Sequence, residues 1–396
     1  MNRQINLPGE VKYIMDTLAG GGHEAFAVGG CVRDRLLDRE PKDWDVCTPA
    51  LPEQAAEYFE HVINTGLKYG TVTVMLNGKP FEVTTYRADG DYSDNRRPDT
   101  VTFGTDLGAD LARRDFTVNA MAYSPETGVV DCFGGAADLE AGIIRCVGNP
   151  SERFREDALR IMRALRFASA LEFTIEPETS KAVFGCAGLL KNIAAERIAA
   201  ELNGLLTGGG SENILSEYRA VLSVIIPDYR TEGISKPPPL IIPRLAVLLS
   251  GLGADGARDI LSDLRYDNRT ADSVAELIYY GGADIRAEES GIKRWLNKIG
   301  EEQFRLLLEV GGAVGTCGDT EAVQALLEKI FSEKQCFSLK DLAVCGMDLI
   351  ESGIPEGVEV GVTLNRLLNM VIDGKIENSR EALLGAVLLL AETEHI

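Results

Sequence analysis

Histidine is nearly missing from this chain: His23, His61 and His395 are the only three. A histidine-based metal site or a Ser-His-Asp triad has almost nothing to draw on, so any catalysis rests on carboxylates, arginines and a hard cation. The eight cysteines (31, 47, 132, 146, 186, 317, 336 and 345) include no C-x-x-C pair and no Cys/His set at zinc spacing. They read as reduced, buried thiols, not as a disulfide framework or a zinc centre. No apolar run reaches the ~18 residues that a membrane helix needs. The opening stretch MNRQINLPGEVKYIM has no signal-peptide core. The expectation is a soluble, cytoplasmic protein with no membrane association. Positive charge is also short, with 40 Lys and Arg against 61 Asp and Glu, a net charge of −21. Bulk charge therefore excludes non-specific coating of nucleic acid, and an anionic partner has to meet a local basic surface.

What is present divides the 396 residues into unlike parts. At ~100–200 residues per domain the length predicts two to four domains. Residues 25–29 (AFAVG) form a short apolar strand, and the Gly29-Gly30 turn leads into a helix over CVRDRLLD. DWDVCT supplies a second strand. TVTVML (71–76) and FEVTTY (81–86) flank Asn77-Gly78, a strong hairpin signal. From Pro150 the pattern turns helical, with Ala158, Ile161, Leu165 and Ala168 on one stripe. Gly208-Gly209-Gly210 and Pro237-Pro238-Pro239 mark loops or linkers. Further helices are expected around 243–251, 257–265, 271–280, 301–310, 320–332, 361–373 and 379–391, with no fixed-period repeat.

The chemistry concentrates in GGCVRDRLLDREPKDWDV, residues 29–46. Asp43 and Asp45 stand two apart on the expected strand, so both carboxylates point to one face. Paired hard oxygens suit Mg²⁺, which leaves room for substrate phosphates. Glu82, on the hairpin, is placed to add a third carboxylate. The Gly29-Gly30 turn lets backbone N–H groups approach an anion at the start of the helix that carries Arg33. An isolated D-x-D is usually just a solvated strand end. Preceded by G-G-x-x-R-D at this spacing, it describes a metal–triphosphate site.

That constellation resembles the nucleotidyltransferase superfamily that includes DNA polymerase β. FEVTTYR (81–87), RRPD (96–99), RRDFTVNAMA (113–122), DCFGGAADL (131–139), RFREDALRIMRALRFA (153–168) and ERIAAEL (196–202) follow in order. Together they look like the class II CCA-adding enzymes and their bacterial poly(A) polymerase relatives. The resemblance implies an α+β fold: a polymerase-β-like nucleotidyltransferase head over 1–145, then an all-helical neck (146–206), body (207–330) and tRNA-binding tail (331–396). It implies Asp43 and Asp45 as the metal-binding pair, with Glu82 at the third acidic position. Gly30 and Arg33 match triphosphate contacts, and Arg114 a further nucleotide contact. Asp157 and Arg160 match the E-D-x-x-R motif that reads the incoming base, and Arg163 and Arg166 continue it toward phosphate. Arg197 matches an arginine that supports that helix. Mg²⁺ is the implied cofactor. The implied partners are tRNA, CTP and ATP, and oligomeric state, a homodimer included, stays open.

Base reading also has an account in elementary chemistry. Asp157 and Arg160 are i, i+3 neighbours if one helix spans 153–166. A carboxylate only accepts hydrogen bonds and a guanidinium only donates them. Cytosine and adenine each offer an exocyclic amino donor beside a ring acceptor, whereas guanine and uracil present a carbonyl and a ring N–H. The pair would accept C and A and reject G and U; the plainer reading is a surface ion pair. Residues 145–200 hold nine basic groups against seven acidic ones, so tRNA affinity would come from local phosphate contacts. The expected activity is template-independent addition of C, C and A to tRNA 3′ ends. A poly(A) polymerase, a CC-only or A-only enzyme, and a catalytically silent RNA-binding protein are the alternatives. The stretch 88–112 shows no shortening of the kind that marks CC-only members.

Overall fold

The computed structural model describes residues 4–90 and 100–393. They fall into two compact units, Met1–Asp228 with Asp263–Tyr266, and Tyr229–Ser262 with Asp267–Ile396.

The first unit begins with helix α1 (Gly9–Gly20), followed by β1 (Phe26–Val28), α2 (Gly30–Leu36), β2 (Asp45–Thr48) and α3 (Pro52–Glu57). Strands β3 (Val62–Gly66), β4 (Thr71–Leu76) and β5 (Lys79–Thr85) come next, then a small ribbon of β6 (Arg87–Asp89) and β7 (Val101–Phe103). Helix α4 (Leu107–Ala112), strands β8 (Met121–Ser124) and β9 (Gly128–Asp131), and helix α5 (Gly135–Ala141) complete the mixed part. Seven strands form one sheet in the order β3-β4-β5-β2-β1-β8-β9. Every pairing in it is antiparallel except β2 with β5, which is parallel. The β4–β5 hairpin closes through Asn77 and Gly78, whose φ angles of 52° and 75° suit a two-residue turn matched to strand twist. β1 sits between β2 and β8 and is buried along its whole length, which is why it reads as an unbroken apolar run.

Helices α6 (Pro150–Glu156), α7 (Leu159–Leu171), α8 (Pro177–Cys186) and α9 (Ala195–Thr207) follow. The stripe Ala158, Ile161, Leu165 and Ala168 is buried, and α7 packs along α9. Gly208 is a turn and not a tether. A Cβ there would stand 2.6 Å from the Ser169 carbonyl carbon, while Gly210 N–H donates to the Ser169 carbonyl at 3.0 Å.

The regular elements described in the second unit are all helices. Ile241–Leu249, Asn268–Tyr280 and Glu301–Val314 pack on one another through buried Leu245, Val274, Leu277 and Leu307. Leu349, Leu367, Leu368 and Leu383 form a separate core shared by Gly346–Glu351, Val358–Ile372 and Arg380–Thr393. Pro237-Pro238-Pro239 is a loop whose Pro237 and Pro238 carbonyls accept hydrogen bonds from buried Arg244. The helix Glu289–Ile299 was not among the expected segments. Ser290-Gly291 in its first turn breaks the propensity signal, and the buried stripe is reduced to Ile292, Lys293 and Leu296. Among the described residues no helix is long and apolar enough to cross a membrane.

Candidate active site

The site is assembled around the exit of β1. Gly29 has φ 84° and ψ −130°, a region that only glycine enters at low cost. A Cβ at this position would also come within 2.8 Å of Arg114 Nη1. The turn thus sets the start of α2 and leaves room for an arginine at once. Within α2, Arg33 is 8% exposed. It donates from Nη1 to Asn119 Oδ1 at 2.6 Å and pairs with Asp34 at 2.7 Å.

The acidic groups come from the next strands, with one correction to the expectation. β2 starts at Asp45, and Asp43 lies in the exposed segment just before it, so the two do not lie within one strand, although both line the same cleft. Trp44 is buried between them. The tertiary partner of Asp45 is Glu82: they are directly opposed across the parallel β2–β5 junction and leave the sheet on the same face. Burial, reinforced by the nearby Glu82 and Asp43 charges and partly opposed by Arg114, pushes the Asp45 carboxyl up to about 6. A carboxylate held up in this way by burial and neighbouring acids suits a cation. Among the described residues no group of three or more His, Cys, Asp or Glu side chains converges closely enough to form a complete cage. A Mg²⁺ site does not require one, because one or two carboxylates suffice when phosphate oxygens and water complete the octahedron.

Basic groups face these acids. Asp110 in α4 is fully buried and holds two arginines, Arg113 at 2.7 Å and Arg114 at 3.3 Å. Asp115 is also buried, and accepts from Phe116 N–H at 2.8 Å, Asn119 Nδ2 at 3.1 Å and Arg163 Nη2 at 2.7 Å. Burial would raise its carboxyl, but the Arg163 charge and these hydrogen bonds outweigh it and leave Asp115 at about 2. Arg166 pairs with Glu201 of α9. A cleft of about 560 Å³ is lined by Gly29, Gly30, Arg33, Asp43, Asp45, Arg114, Arg163 and Arg166. Asp34, Arg39, Lys42, Asp115, Asn119 and Phe167 line it too. Asp115 and Asn119 lie in the R-R-D-F-T-V-N-A segment, where the sequence alone points only to Arg114. Nothing in the helical periodicity distinguishes Phe167 from a core residue.

Glu82, Asp157 and Arg160 are not part of that lining. The expected continuous helix over 153–166 is two helices, because Asp157 has extended backbone (φ −134°, ψ 103°) between α6 and α7. Its carboxylate instead serves the start of α7, with Oδ1 accepting from Leu159 N–H at 3.1 Å. Asp157 and Arg160 therefore do not share a helix face, although the Arg160 N–H donates to the Asp157 carbonyl at 3.0 Å. Each side chain takes its own partner: Asp157 pairs with Arg197 at 3.1 Å and Arg160 with Glu156 at 2.6 Å. Arg197 does brace this segment. RRPD (96–99), within the 88–112 stretch, lies outside the described residues.

Comparison with known proteins gives concordant matches along the chain. Residues 25–145 match the family model described as Poly A polymerase head domain. Residues 172–222 match one described as "Probable RNA and SrmB- binding site of polymerase A", and residues 244–387 one described as "tRNA nucleotidyltransferase domain 2 putative". The CCA-adding enzyme of Levilactobacillus brevis is 35% identical over 387 residues, covering 94% of this chain and 96% of that protein. That of Geobacillus stearothermophilus is 38% identical over 379 residues, covering 93% of each. A crystal structure of the Bacillus stearothermophilus CCA-adding enzyme in complex with CTP superposes with a TM-score of 0.82 at 31% identity, over 98% of this chain and 99% of that one. The Thermotoga maritima CCA-adding enzyme complexed with tRNA shares the fold, with a TM-score of 0.72 at 21% identity over 98% of this chain and 100% of that one.

Proposed function

This chain belongs to the family of CCA-adding enzymes, and on that premise we propose that it adds C, C and A to the 3′ end of tRNA from CTP and ATP, releasing pyrophosphate. One observation carries the site assignment: Asp43 and Asp45 open on the same cleft as the Gly29-Gly30 turn, Arg33 and Arg114, with Glu82 opposite Asp45 on the neighbouring strand. Carboxylates on one side and phosphate donors on the other are what transfer from a nucleoside triphosphate requires. Enzymes of this family use a divalent metal ion. In this reading the ion is Mg²⁺, held by Asp43 and Asp45 with Glu82 as the third acidic group. It would lower the pKa of the attacking 3′-hydroxyl and offset charge on the leaving pyrophosphate.

The chain's own residues do the rest. Gly30 and Arg33 hold the triphosphate, Arg114 adds a donor beside the turn, and Arg163 and Arg166 extend the basic wall. Asp157 and Arg160 read the base. Their polar edges also engage Arg197 and Glu156, so base reading requires those pairs to be shared or exchanged. The assignment of head (1–145), neck (146–206), body (207–330) and tRNA-binding tail (331–396) belongs to the same reading, as does a cytoplasmic location. Poly(A) synthesis and A-only or CC-only addition remain the outcomes to test against. Purified protein is incubated with tRNAs lacking the final A, CA or CCA, and with each labelled nucleoside triphosphate in turn. Ordered uptake of C, C and A that then stops is expected. Long A tracts, or arrest after CC, would overturn the proposal.

A further inference from the structure

Phe167 lies where three arginines of the cleft meet. Its ring centroid is 5.1 Å from Arg33 Cζ, 5.2 Å from Arg163 Cζ and 4.0 Å from Arg166 Cζ. Arg33 comes from α2 at the glycine turn, whereas Arg163 and Arg166 share α7 with Phe167 itself. The ring thus receives guanidinium groups from two elements far apart in sequence. It is 6% exposed and packs edge-on against Phe116, with centroids 5.8 Å apart and planes at 79°. All four side chains line one cleft.

Like charges gathered at one point repel unless something attractive stands between them. Carboxylates supply part of this: Asp34 pairs with Arg33, Asp115 with Arg163, and Glu201 with Arg166 and Arg163. A carboxylate, however, neutralises the arginine it holds and competes with an incoming polyanion for the same N–H donors. An aromatic face attracts the cation through its quadrupole and occupies none of the in-plane N–H groups.

We propose that Phe167 is a positioning residue of the triphosphate subsite, its ring gathering Arg33, Arg163 and Arg166 to one focus while leaving their charge available to phosphate. The identity of the anion, a nucleoside triphosphate, rests on the functional reading above. Phe167 acts only through the arginines, so its removal affects CTP and ATP alike and leaves base choice untouched.

The test compares Phe167→Leu, which keeps an apolar side chain and removes the ring face, with Phe167→Tyr, which keeps the face. CTP and ATP binding is measured by calorimetry with Mg²⁺ and no tRNA, alongside kcat, KM and the melting temperature. The leucine variant is expected to bind both nucleotides about tenfold more weakly, the sum of three weak cation–ring contacts. KM rises by the same factor, kcat stays within about twofold, and the tyrosine variant behaves like wild type. Unchanged nucleotide binding in Phe167→Leu overturns the proposal. So does an equal loss in both variants, or a loss confined to kcat and melting temperature. A wild-type protein that binds CTP and ATP yet adds neither to tRNA overturns the CCA reading and leaves the comparison of the two variants in force. One that binds no nucleoside triphosphate overturns both.

Discussion

The Arg160 guanidinium donates through Nη2 to the backbone carbonyl of Arg113 at 3.0 Å, one residue before Arg114. Arg153 does the same to the Ala112 carbonyl, also at 3.0 Å. The end of α4 is thereby capped by side chains from α6 and α7, satisfying carbonyls that a helix terminus leaves open. The residue assigned to base reading is in this way tied to the backbone that carries Arg114, the proposed further nucleotide contact.

This link separates the two members of the base-reading pair. Asp157→Ala removes an acceptor for the amino group of C or A, a bond to a charged group worth about 1.5–3 kcal/mol. Relative use of UTP and GTP should rise about ten- to a hundredfold. Arg160→Ala should lower selectivity and also raise KM for every nucleotide, because α4 loses a cap next to Arg114. Competition assays with four labelled nucleotides check both. Wild-type rejection of UTP and GTP in Asp157→Ala would reduce Asp157 to a partner of Arg197 and a helix cap.

Removal of either metal-assigned carboxylate should stop the chemistry. Asp43→Ala and Asp45→Ala are each expected to lose about 4 kcal/mol of transition-state stabilisation, about a thousandfold in rate. Binding of tRNA, followed by filter retention, should persist. Near-normal turnover with Mg²⁺ in both variants would refute the assignment.

Acid stability tests Asp115. Its carboxyl lies near 2 in the folded protein against an ordinary 3.8. A depressed pKa contributes stability that is fully present above the ordinary value and is lost as pH falls through the folded value. The contribution is about 2 kcal/mol, present above about pH 4 and lost toward pH 2. Asp115→Asn should be less stable than wild type at neutral pH, with the gap closing as pH falls across that window. Melting curves at stepped pH measure it, and a gap independent of pH would contradict the Asp115–Arg163 account.

Gly29→Ala tests the turn. Its backbone conformation strains any side chain by about 1–3 kcal/mol, and the added methyl meets Arg114. Both melting temperature and CTP affinity should fall. Unaltered affinity would mean that the position of Arg114 does not depend on this turn.

Much of the site could be read from the chain because its parts are local. The Gly29-Gly30 turn, the helix carrying Arg33 and the Asn77-Gly78 hairpin each follow from a few adjacent residues, whose backbone preferences act at short range. The ordered motifs from FEVTTYR to ERIAAEL fix the family for the same reason: they are strings. Tertiary structure alone decided the rest. Whether Asp43 shares a strand with Asp45 depends on where the ladder begins, and the pairing with the parallel β5 neighbour begins at Asp45 opposite Glu82. Whether Asp157 and Arg160 share a helix depends on Arg197, forty positions along, drawing the carboxylate away at the α6–α7 break. Phe167 reads as one more apolar residue on an amphipathic helix, until folding brings Arg33 of a distant helix against its ring. Charge and aromatic contacts act through space, and no periodicity in the chain records which side chains will meet.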